Sequence, residues 1–121
     1  MVNKYELELL TPAQRELEEI GRAHLELVGS LSARKITDRI YSSLEKLKMF
    51  PDIGISCRDR QLAAAGYRML ICGNYLCFYR KTGNIVFIFH IVDGRTDYPK
   101  LLADMEREKT RNQDTENQKS E

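Results

Sequence analysis

The sequence predicts an α+β fold in the order β-α-α-β-β-β-α, a helical hairpin packed on a small, mainly antiparallel sheet. Three observations carry this reading: an alternating apolar stretch at residues 4–9, two apolar stripes at helical spacing between residues 11 and 50, and three β-rich runs between residues 67 and 92 divided by turn residues. At 121 residues the chain has room for one domain that buries its core without metal or disulfide support.

Tyr5, Leu7 and Leu9 alternate with Lys4, Glu6 and Glu8, the pattern of a strand with one buried face. Thr11-Pro12-Ala13-Gln14 then offers a helix start, with Thr11 as cap, Pro12 at the first helical position and Gln14 closing a capping box. Leu17, Ile20, His24, Leu27 and Leu31 fall near one face of that helix, and Gly29 supplies a stop. His24, lying in or beside an apolar stripe with no second metal-type residue at helical spacing, reads as a hydrogen-bonded structural side chain.

Ser32 is the predicted cap of a second helix, in which Ala33, Ile36, Ile40, Leu44 and Leu47 share a face and which Phe50-Pro51 ends. Residues 52–66 have no clean period and read as a loop holding at most a turn of helix around Leu62 to Ala65. Tyr67–Cys72, Tyr75–Arg80 and Ile85–Val92 form a three-stranded antiparallel meander across the turns Gly73-Asn74 and Lys81-Thr82-Gly83-Asn84. The last strand is apolar on both faces, as expected inside a sheet covered on both sides. Asp93-Gly94-Arg95 turns the chain out, and Tyr98 to Arg107 reads as a final helix. The expected domain is therefore residues 1–107, followed by a polar tail, 108–121, without apolar residues and of disordered composition.

Composition narrows the function. With 42% hydrophobic and 31% charged residues and no apolar run near the roughly 20 residues that cross a bilayer, no membrane role is expected. The first residues lack a basic start and an apolar stretch, which predicts a cytoplasmic protein. A net charge of +1 argues against nucleic-acid binding by bulk electrostatics and confines any cationic site to a local patch. Six acids against four bases after residue 103 place that patch in the body of the chain. Cys57, Cys72 and Cys77 are odd in number and lack metal-ligand spacing, so they read as small buried hydrophobes, and no cofactor or metal is expected.

The order of elements from Lys4 to about Met105 resembles the RelE/ParE family of toxins. Leu44-Glu45-Lys46-Leu47 ending at Phe50-Pro51 looks like the close of that family's second helix. Gly66-Tyr67-Arg68-Met69-Leu70-Ile71 followed by Gly73-Asn74-Tyr75-Leu76-Cys77-Phe78-Tyr79-Arg80 looks like its central hairpin, and Ile91-Val92-Asp93-Gly94-Arg95-Thr96-Asp97-Tyr98 resembles its strand-end motif. The resemblance implies a toxin held inactive by a cognate antitoxin, whose segment wraps over the helical hairpin and sheet.

It also implies one of two targets. RelE-like members cut mRNA on the ribosome with cationic residues on the sheet; ParE-like members inhibit DNA gyrase. Cleavage by the 2′-hydroxyl needs groups that stabilise phosphate charge and move a proton, so the candidate residues are Arg68, His90, Arg95 and Tyr98. Arg68 falls at a position similar to a catalytic lysine of the RelE pattern, and Arg95 near the family's basic residue after the last strand. The Arg of the RelE-like Tyr-Arg pair is replaced by Leu76 after Tyr75, whereas Tyr75 to Arg80 reproduces the ParE-like Tyr-x-x-x-Tyr-Arg. The expectation is gyrase inhibition, with ribosome-dependent mRNA cleavage as the alternative.

Each candidate also has a structural reading. Arg68 shares a strand face with Leu70 and Cys72 and can snorkel there or pair with an acid of the final helix. His90 shares a face with Val86, Ile88 and Val92 by simple alternation, where a hydrogen-bonded structural role is expected. Arg95 lies in a turn, where exposed side chains serve binding. Tyr98 can anchor the final helix, and Arg58 and Arg60 read as solvated.

Overall fold

In a computed structural model, which describes residues 4–95, the chain opens with β1 (Glu6–Leu9), α1 (Thr11–Leu27) and α2 (Ser30–Glu45), the last running into a 3-10 turn at Lys46–Lys48. There follow β2 (Ile55–Ser56), α3 (Arg60–Ala64), β3 (Tyr67–Cys72), β4 (Tyr75–Thr82) and β5 (Ile85–Asp93). The five strands form one sheet in the order β1-β5-β4-β3-β2. Strand β1 runs parallel to β5, and the other pairings are antiparallel. The fold is thus the predicted α+β hairpin-on-sheet, with the meander intact. The expected final helix and the polar tail lie outside the described residues.

The stretch read as a loop with a turn of helix around Leu62 to Ala65 holds that turn, α3, begun two residues earlier, and also a short strand, β2. Asp59, whose carboxylate accepts from the Leu62 amide at 2.9 Å, caps α3 and drives Leu62 into the core. Strand β2 pairs Ile55 with Met69 and Ser56 with Arg68. Both its residues are exposed, so no apolar alternation marks it in the sequence.

The start of α1 departs from the capping box. Thr11 is already helical; Leu10, in extended conformation, stands at the cap without a side-chain bond, and Gln14 Nε2 donates to the Leu9 carbonyl at 2.7 Å. Gln14 thus ties the helix to the end of β1 and does not close a box with Thr11. Helix α1 ends at Leu27, and Gly29, at φ 136°, turns the chain into α2. The cap of α2 is therefore Gly29, and Ser32 lies inside the helix. This early turn leaves Leu27 and Leu31 84% and 66% exposed, off the stripe to which simple periodicity assigns them.

Burial divides into two layers. Facing the hairpin, Ala13, Ile40, Leu44 and Leu47 meet Cys72, Cys77, Tyr79, Val86, Ile88 and Ile91. On the opposite face Cys57 and Leu62 meet Tyr67, Leu76, Phe78 and Phe89, with the Phe89 and Tyr67 rings edge to face at 5.0 Å. Both faces of the central strands are covered, which is why Ile85 to Val92 shows no alternation of polarity.

Candidate functional site

Strand β5 carries a bulge that resets its faces. Phe78 pairs with His90 but Tyr79 pairs with Ile88, leaving Phe89 as the extra residue. Val86 and Ile88 consequently face the hairpin together with Ile91, while Val92 falls in the other layer. His90 therefore does not share one face with Val86, Ile88 and Val92, as unbroken alternation predicts.

Beyond Leu9 the first strand no longer covers the edge of β5: Leu10 donates to the Ile88 carbonyl at 3.0 Å and the chain rises into α1. Glu16, on the first turns of that helix, fills the place a further strand residue would hold. Its Oε1 accepts from the Ile91 amide at 3.2 Å and stands 3.1 Å from His90 Nδ1. His90, 7% exposed, thus has a carboxylate partner from the far end of the sequence. Periodicity cannot reveal a pair separated by 74 residues.

Arg68 is held at the opposite edge of the meander. Its Nη1 donates to the Gly54 carbonyl at 2.8 Å and to the Asp52 carbonyl at 3.3 Å, and its Nε lies 3.6 Å from the Asp52 carboxylate. Among the described residues the acid that pairs with Arg68 comes from the segment before β2, and the expected final helix lies outside them. The same segment is fastened from below by Tyr79, wholly buried, whose hydroxyl donates to the Pro51 carbonyl at 2.8 Å and accepts from the Gly54 amide at 2.9 Å. Burial pushes the Tyr79 hydroxyl above its usual pKa, so it stays a neutral donor.

Arg95 is 92% exposed in its side chain and folds back on its own turn. Its Nε and Nη2 reach the two oxygens of Asp93 at 3.2 and 3.3 Å, and its amide donates to Asp93 Oδ1 at 2.8 Å. The guanidinium hydrogen bond holds the Asp93 carboxyl below the ordinary aspartate range. Gly94 fixes this turn to the neighbouring one by donating to the Asn74 carbonyl at 2.8 Å.

These side chains do not converge on one point. Arg68 stands opposite Tyr79 in β4, and Asp93, the partner of Arg95, stands opposite Tyr75. Four residues of strand separate those levels, about 13 Å at about 3.3 Å per residue. His90 is level with Phe78, next to the Arg68 position, but Phe78 and Tyr79 point to opposite layers, and cross-strand partners share a face. Tyr98 lies outside the described residues. Leu76, where the RelE-like pattern has Arg, is 6% exposed in the layer away from the hairpin.

Two further features belong to the hairpin. His24 places Nδ1 3.2 Å from Ser32 Oγ and Nε2 3.3 Å from the Tyr75 hydroxyl, tying its tip to the sheet. Around that tip Leu25, Leu27, Val28 and Leu31 are exposed beside an open groove of about 930 Å³ lined by Lys35, Ile36, Arg39 and Ser42. Among the described residues no three His, Cys, Asp or Glu side chains gather to hold a metal. No helix there is long and apolar enough to cross a membrane.

Comparison with known proteins adds three findings. Residues 7–98 match the family described as ParE toxin of type II toxin-antitoxin system, parDE. The fold is similar to a solved chain of the chromosomal ParDE system from P. aeruginosa, with TM-score 0.64, 19% identity, and coverage of 76% of this chain and 98% of that one. It is similar also to a chain of the RelBE2 toxin-antitoxin complex from Mycobacterium tuberculosis, with TM-score 0.56, 18% identity and coverage of 74% and 98%. No curated protein matches the sequence.

Proposed function

The chain belongs to the ParE toxin family of type II toxin–antitoxin systems, and on that premise we propose that it acts by binding DNA gyrase and blocking supercoiling, not by cutting RNA. The observation that carries this reading is Leu76. Where the mRNA-cleaving pattern needs a phosphate-binding Arg, the side chain is apolar and packed with Tyr67, Phe78 and Phe89. The other cations of that pattern are already engaged: Arg68 holds the segment before β2, and Arg95 is paired with Asp93. A phosphate would meet guanidiniums whose charge is already partly offset by Asp52 and Asp93, and would gain less from either. The apolar tip of the hairpin offers instead a surface suited to another protein.

A cognate antitoxin is the second partner of this reading. Both structural neighbours come from toxin–antitoxin systems, and the helical hairpin and sheet are where the family resemblance puts the antitoxin segment.

One observation favours mRNA cleavage, namely the Glu16–His90 pair, since a carboxylate-oriented imidazole is the usual form of a general acid or base. Induction of the chain without an antitoxin separates the two readings. Gyrase binding predicts growth arrest with a DNA-damage response and no codon-phased cuts in translated mRNA. Codon-phased cuts that vanish in an Arg68→Ala, Arg95→Ala double variant would overturn it.

A further inference from the structure

Cys72 and Cys77 lie in neighbouring strands of the hairpin-side core with their sulfurs 3.6 Å apart, 2% and 0% exposed. From this geometry we infer that the pair is an oxidation site, closed by hydrogen peroxide into a reversible disulfide that clamps β3 to β4 beneath α2.

Position on the ladder makes one sulfur the entry point. Cys72 is the last residue of β3, opposite Tyr75 and next to the Gly73-Asn74 turn, where strand ends open most readily. Cys77 is opposite Leu70, deeper in the sheet. Their charges differ in the same sense. The contact between the two thiols, with Ser43 and Lys46 of the covering helical segment contributing, lowers the Cys72 thiol below its usual range, while that shared contact and burial push Cys77 up. Cys72 is the nucleophile and Cys77 the resolving thiol. The third cysteine is a built-in control: Cys57 sits in the other layer, and burial with Asp59 nearby raises it to about 11.

The chemistry balances with hydrogen peroxide as oxidant. Cys72 thiolate attacks a peroxide oxygen and breaks the O–O bond; the departing hydroxide takes up the proton released from Cys72 and leaves as water. Cys77 sulfur then attacks the sulfenic sulfur, and the expelled hydroxide takes the Cys77 proton as a second water. Peroxide gains two electrons, and each sulfur gives up one.

The bond would be a weak clamp. A disulfide needs its sulfurs about 2.05 Å apart, so these must close by roughly 1.5 Å. The register also makes the pair diagonal, at about 7–8 Å just beyond the spacing a disulfide usually spans, so the two strands must shift for the bond to close. Strain of that kind raises the reduction potential, so the bond is readily reversed by thiols and does not act as a permanent staple. Closure would draw together the strands on which Ile40 and Leu44 rest, shifting the seat of the helical hairpin.

Full-length folded protein treated with hydrogen peroxide should lose two hydrogens in intact mass. Cleavage of the chain after Tyr75 and Leu76 should leave the Cys72 and Cys77 halves joined until dithiothreitol separates them. A Cys57→Ser variant should behave identically, and Cys77→Ser should gain oxygen at Cys72. The inference is overturned if the folded wild-type chain gains oxygen at these sulfurs, or if the crosslink forms only after unfolding in urea. Both readouts on the wild-type chain stand whether or not the variants fold.

Discussion

Tyr79→Phe isolates the polar joint that fastens the segment before β2 to the sheet. The ring, with its packing against Val86 and Ile88, is kept, and only the hydroxyl is lost. Two buried backbone groups lose their partner: the Pro51 carbonyl at 2.8 Å and the Gly54 amide at 2.9 Å. A buried polar group left unpaired costs about 1–3 kcal/mol, so two of them predict a loss of about 2–6 kcal/mol. At roughly 4 °C per kcal/mol for a domain of this size, that corresponds to a fall in Tm of roughly 8–24 °C. Urea unfolding followed by circular dichroism measures it, with an unchanged m-value showing that the unfolded state is not the source. Tyr75→Phe is the control, since its hydroxyl makes one partly buried contact with His24 at 3.3 Å and should cost about 0.5 kcal/mol or less. A Tyr79→Phe protein within about 0.5 kcal/mol of wild type would show that the Pro51 carbonyl and Gly54 amide do not depend on the hydroxyl.

Gly54→Ala tests the same joint by crowding: an added Cβ would lie 2.6 Å from the Tyr79 hydroxyl and 2.9 Å from the Met69 carbonyl. A loss of about 1–3 kcal/mol is expected in the same unfolding assay, and full stability would show that the segment gives way freely. Glu16→Ala removes the acceptor of the Ile91 amide. That amide should then exchange with solvent faster by hydrogen-exchange NMR, with about 1–3 kcal/mol of stability lost, and unchanged protection would mean that Glu16 is not the edge cover. Asp93 is held below its ordinary range by Arg95, so the stabilisation from that pair is present above the usual aspartate pKa and lost as pH falls through the lower folded value. A carbon-detected titration of Asp93 should move upward in Arg95→Ala, and an unmoved titration would exclude the guanidinium as its cause.

What the sequence made legible follows from where local physics decided the outcome. The meander was readable because Gly73-Asn74 and Gly83-Asn84 separate β-rich runs whose turns need little else. Ile36, Ile40, Leu44 and Leu47 were readable because one helix presents one face to one core. The faces of β5 after Ile88 were not, since the bulge at Phe89 inverts them and a bulge leaves no mark in an all-apolar run. Leu27 and Leu31 were misplaced because the chain reverses at Gly29, a turn sooner than the stripe continues. Strand β2 is set by its pairing with β3 and not by its own two residues.

At the candidate site the residue types were legible and their partners were not. Asp93 lay two residues before Arg95, a spacing that an Asp side chain uses to bond its own turn. Glu16 and Asp52 carried no such local signal. Their roles arise where β1 leaves the edge of β5 and where the segment before β2 crosses the end of β3. The carboxylates that engage Arg68 and His90 were thus fixed by topology.

The most direct test of the functional account is DNA supercoiling by purified gyrase in the presence of the purified full-length chain. Inhibition near stoichiometric ratio, retained by an Arg95→Ala variant, is the predicted result. Supercoiling that proceeds unchanged at a large excess of the chain would contradict it.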